Sequence, residues 1–107
     1  TDLIDKKLEQ LTALLNVARC GDFASYDTPT QNNYLWICHE LACEIKALME
    51  AEPTVVLVKL TTLLAVACCE DFASYNAQIQ NNYMWTCHEL ACELRRLLDA
   101  ETIGEQA

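Results

Sequence analysis

Leu8, Leu11, Leu15 and Ala18 follow one another at steps of three and four, with Leu14 beside them. Leu57, Leu60, Leu64 and Ala67, with Leu63, repeat the same steps further along the chain. That spacing gathers apolar side chains on one side of an α-helix. A second stripe, Tyr34, Cys38, Leu41, Ile45 and Leu48, is echoed by Tyr83, Cys87, Leu90, Leu94 and Leu97. The pattern predicts four helices, over roughly 3–20, 29–51, 54–69 and 77–100. Each stripe needs another helix to cover it, and the connections are short. An all-α, antiparallel four-helix bundle follows.

The echo is an internal duplication. Residues 11–52 and 60–101 align without a gap at an offset of 49, with 27 of 42 positions identical. Only the connector 53–59 separates the two copies, so 1–107 reads as one domain made of two tandem helical hairpins. Two repeats are too few for a solenoid, and the copies are expected to pack face to face about a pseudo-twofold axis.

Punctuation supports the same boundaries. Thr28, Pro29 and Gln31 read as an N-cap, a proline at the first helical position and the far end of a capping box. Asn76 takes the capping role in the second copy. Gly21 marks the end of the first helix, and Glu52-Pro53 the end of the second. The loops repeat "DFASY" whole, at 22–26 and 71–75. A loop that only reverses the chain needs no aromatic residues, so Phe23 and Tyr26 are expected to fold back and plug the bundle end, with an aromatic docking knuckle as the alternative.

Composition narrows the function classes. Apolar residues make up 52% and charged residues 21%, a globular balance, and Gly and Pro occur only twice each. Sixteen acidic and seven basic residues leave a net charge of −9, which removes the basic footprint that direct nucleic-acid binding requires. The apolar run Val55–Cys69 is interrupted by Lys59 and two threonines, so no membrane span is expected.

Seven cysteines are an odd number, and two are adjacent. Cys38 lies ~13 Å along its helix from the loop that follows Cys20, too far for the Cα separation below about 7 Å that a disulfide needs. Reduced cysteines used as small apolar residues, and the absence of a signal-like segment, lead to the expectation of a cytoplasmic protein.

The chemistry concentrates in "NNYLWICHELACE" (32–44) and "NNYMWTCHELACE" (81–93). Opposite the core stripe fall Asn32, Trp36, His39 and Cys43, and in the second copy Asn81, Trp85, His88 and Cys92. A helix already apolar on one side should be polar here, yet each carries a tryptophan. Internal packing or self-association accounts for this stripe; so does binding of another protein, because Trp favours interface centres. Glu40 and Glu44, repeated as Glu89 and Glu93, are like charges one turn apart. They read as a solvated face or as an acidic rim awaiting Arg or Lys on a partner. Lys46 and Arg95 lie within reach to neutralise part of the rim.

Metal binding is the third reading. His39 and Cys43 are four residues apart, and with His88 and Cys92 they make the donor set of a Cys2His2 zinc site, should the two helices meet about the twofold axis. No Cys-x-x-Cys knuckle accompanies them. Catalysis has less support. "HELAC" puts Cys43 where a His-Glu-x-x-His metalloprotease has its second histidine, and no Glu-x-x-His suggests a di-iron centre. A Cys43–His39 nucleophile pair lacks an oxyanion-hole loop.

The unit "LTALLNVARC…NNYLWICHELACEIKALME" resembles the small acidic helical-hairpin proteins encoded by many proteobacteria and their prophages. The resemblance implies a bacterial or mobile-element origin. Those units are usually single, so the fused pair implies a pseudo-dimer in one chain. The expectation is a non-catalytic acidic protein working through protein–protein contacts, as adaptor, regulator or inhibitor. Its contact residues would be Asn32, Trp36, His39, Glu40 and Cys43 with Asn81, Trp85, His88, Glu89 and Cys92. The alternatives are the zinc bundle and an inhibitor that mimics nucleic acid on a host protein.

Overall fold

The computed structural model describes residues 2–49, 54–69 and 71–106, with side chains described from residue 3 to residue 100 within those segments. Four helices run in order: α1 (Asp2–Cys20), α2 (Thr28–Leu48), α3 (Val55–Cys69) and α4 (Ala77–Gln106). Among the described residues there is no strand. Each helix packs against two neighbours. α1 lies against α2 and α4, and α3 lies against α2 and α4, which closes an antiparallel four-helix bundle. No helix among the described residues is long and apolar enough to cross a membrane.

The core is built in layers from the stripes. Leu8, Leu11, Leu15 and Ala18 of α1 are buried, and so are Leu57, Leu60, Leu64 and Ala67 of α3. The seams of α2 and α4 are rotated from the sequence expectation. Leu35, Cys38, Ala42 and Ile45 face the centre, with Met84, Cys87, Ala91 and Leu94 as counterparts. Tyr34, Leu41, Tyr83 and Leu90 sit half-buried at the flanks, while Leu48 and Leu97 are exposed. The physical reason is the phenol: each tyrosine hydroxyl donates to a backbone carbonyl of the preceding helix, Tyr34 to Leu14 and Tyr83 to Leu63. A ring with a polar tip belongs at the seam's edge, where the tip reaches an acceptor.

Both loops make a single turn of 3-10 helix, Phe23–Ser25 and Phe72–Ser74. Phe23 and Phe72 are fully buried and meet edge to face, their centroids 6.1 Å apart. The aromatic loops therefore plug the bundle end, as expected. Each loop also packs on a helix of the other copy, the first on α4 and the second on α2.

The first cap differs from expectation. Asp27, not Thr28, is the N-cap of α2, and its carboxylate accepts from Thr30 N at 2.9 Å. Gln31 completes no capping box. It is buried instead, and its Nε2 donates to the carbonyls of Phe23 (2.9 Å) and Tyr26 (3.2 Å), tying the loop to the helix. Gln80 does the same for Phe72 and Tyr75. Asn76 caps α4 as expected, accepting from Ile79 N at 2.9 Å. α1 ends at Cys20, just before Gly21. The break at Glu52-Pro53 lies outside the described residues.

Candidate functional site

With Leu35 and Cys38 turned inward, helical geometry sends residues 32, 36, 39 and 43 outward. Asn32 and Asn81 are exposed, Trp36 is 50% exposed and Trp85 47% exposed. Glu40 and Glu89 are exposed, and His39, Cys43, His88 and Cys92 are half-buried. The tryptophans are therefore not packed into the interior. Each predicted set of five lies along one outer strip of its own helix, and the structure keeps the two sets apart, because α2 and α4 stand diagonally across the bundle.

The four residues of the zinc reading are divided in the same way, a histidine and a cysteine to each strip. Within each copy the histidine and cysteine do touch, with Cys43 Sγ 3.5 Å from His39 Nε2 and Cys92 Sγ 3.6 Å from His88 Nε2. The core stands between the two pairs. Among the described residues no group of three or more His, Cys, Asp or Glu side chains is gathered where it could hold an ion. One molecule thus offers two donors in each place rather than four in one.

The two tryptophans differ in what touches them. Arg19, from the end of α1, lays its guanidinium over the Trp85 ring, with Cζ 4.3 Å from the centroid. The Trp85 indole N–H donates to Glu89 Oε1 at 2.8 Å. Arg19, Trp85, His88, Glu89, Cys92 and Arg96 line a groove of about 440 Å³. Burial, with Arg19 nearby, pulls the His88 imidazole below its ordinary value of 6.5, and Glu89 offsets part of the effect. The Arg19 Nε is buried and has no hydrogen-bond partner among the described residues.

Trp36 has a different setting. Its ring meets only the His39 ring edge to face, at 5.9 Å, and among the described residues neither its N–H nor its ring face has a polar or cationic partner. The 49-residue offset aligns Arg19 with Cys68 and Arg96 with Ala47, so the α2 strip lacks both guanidiniums. Glu44 is paired, but with Lys7 of α1 rather than with Lys46. Glu40 has no ion pair among the described residues.

Sequence reasoning missed Arg19 and Lys7. Neither lies on the helix that carries the strip, and their relevance appears only once α1 is laid beside α2 and α4. The one available signal was the loss of identity at position 19, one of several differences between the two copies in this region. Comparison with protein-family models, curated proteins and solved structures finds no match.

Proposed function

We propose that the protein is a non-catalytic, acidic adaptor, regulator or inhibitor that works by binding another protein through its outward tryptophan strips. The observation that carries this reading is Trp36: a large apolar ring, half exposed on a helix whose opposite side already fills the core. Such a ring is costly to leave in water and is favoured at interface centres. The acidic rim beside it and the net charge of −9 favour a partner with a basic surface. An inhibitor that covers the nucleic-acid groove of a host protein is one form of the same reading.

Site-specific photo-crosslinking tests it. A crosslinking side chain at position 36 or 85 should capture a discrete partner protein that an equally exposed control at Glu9 does not. Capture from neither position contradicts the reading. The zinc alternative rests on the two close His–Cys contacts. It predicts that native mass spectrometry with added zinc shows an ion held jointly by two copies, and loss of that species in Cys43→Ser and Cys92→Ser.

A further inference from the structure

The duplication carries an internal experiment. Two strips of nearly the same sequence face outward, and among the described residues only one has its tryptophan engaged by a guanidinium and a carboxylate. On α4 the indole face is covered by Arg19 and its N–H by Glu89. On α2 the corresponding ring face, the indole N–H and the Glu40 carboxylate all lack such partners among the described residues, and Cys68 stands where an arginine would be. The exposures are close, 50% against 47%, so the distinction lies in the contacts and not in the area.

Resting on the reading of these strips as partner surfaces, we propose that α2 carries the open docking face and that its occupant is an arginine-bearing basic segment of a partner protein. Its guanidinium lies over Trp36 and pairs with Glu40. On α4 the stacking half of that contact is made within the chain, Arg19 lying over the Trp85 ring while Glu89 accepts from the indole N–H. It shows that this arrangement of Trp and Glu at i and i+4 accommodates a guanidinium over the ring at stacking distance. Charge complementarity points the same way: the chain carries −9 overall, and Arg19 and Arg96 border only the α4 strip. A planar guanidinium is the better occupant than an ammonium, because it stacks on the ring while its edge still donates to a carboxylate.

The two tryptophans supply two separate indole N–H signals in a ¹⁵N–¹H NMR spectrum, assigned with Trp36→Phe. The probe is a short alanine–leucine peptide bearing three arginines, with a three-lysine version for comparison. The Trp36 signal should move saturably and the Trp85 signal should stay in place, and the lysine peptide should bind several-fold more weakly. Cys68→Arg should abolish the Trp36 response by filling the face from within the chain. Arg19→Ala, which frees the other ring, should add an equal response at Trp85, so that one site becomes two. Far-UV circular dichroism confirms that each variant is folded, and either variant alone decides the matter.

An equal Trp85 response in the unaltered chain, an unchanged Trp36 response in Cys68→Arg, or no movement of either indole would overturn the proposal. So would a Trp36 signal that moves on concentrating the protein alone, which would make a second copy the occupant. If the peptide fails while crosslinking from position 36 still captures a partner, the docking reading stands with a different partner chemistry. If both fail, that reading falls too.

Discussion

Phe23 and Phe72, 49 residues apart in the chain, pack edge to face across the end of the bundle at 6.1 Å. Each ring also meets its own copy's tyrosines, Phe23 with Tyr26 and Tyr34, Phe72 with Tyr75 and Tyr83. The pair thus locks loop to helix within a hairpin, and hairpin to hairpin across the fold. Phe23→Ala and Phe72→Ala should each lower unfolding free energy by about 3–5 kcal/mol. In a denaturant-unfolding double-mutant cycle they should show a coupling of roughly 0.5–1.5 kcal/mol. Additive losses would mean that the two loops act independently.

Gln31 ties the same loop from beneath. Its amide donates to two loop carbonyls, while its own Oε1 is buried without a hydrogen-bond partner among the described residues. Gln31→Leu keeps the volume but takes a donor from the Tyr26 carbonyl and one of two donors from the Phe23 carbonyl, which still accepts from Tyr26 N, and should cost about 1–3 kcal/mol in urea unfolding. A loss no larger than that of an exposed substitution would show that these bonds contribute nothing net.

Much of this fold was readable in advance because it depends on local spacing. The α1 and α3 stripes, the aromatic plugs and the Asn76 cap follow from periodicity and turn chemistry. The rotation of the α2 and α4 seams did not, because it depends on where each tyrosine hydroxyl finds an acceptor, and those carbonyls lie 20 positions away on the preceding helix. Asp27 and Thr28 are both good caps, and spacing cannot choose between them. The tryptophan strips were legible as strips. Their asymmetry was not, since Arg19 reaches Trp85 across 66 positions of sequence.

The cysteines should divide by position when probed with an aromatic disulfide reagent at pH 8. Cys20 and Cys69 are exposed and should react first. Burial pushes the Cys38 and Cys87 thiols up to about 12, with each thiol surrounded by core side chains. They should react only as fast as the protein unfolds. Rapid labelling of all seven would contradict a packed core at Cys38 and Cys87.

His88 gives a pH dependence of definite sign. Its pKa in the fold lies below the ordinary 6.5, so the unfolded chain takes up the proton first. The associated stability is therefore complete above that value and is lost as pH falls below it. Melting temperature should drop between pH 7.5 and pH 5.5 by less in His88→Gln than in the natural chain. Arg19→Ala, which removes one of the causes of the shift, should also flatten the profile. Identical profiles for all three would contradict the contact between Arg19 and the His88 groove.

The most direct test of the account is the stability of Trp36→Ala by equilibrium urea unfolding. A docking residue contributes little to the fold that presents it, so the predicted loss is about 1 kcal/mol or less. A loss of roughly 3 kcal/mol or more, the signature of a buried aromatic, would make Trp36 part of the packing and contradict the reading of α2 as an open face.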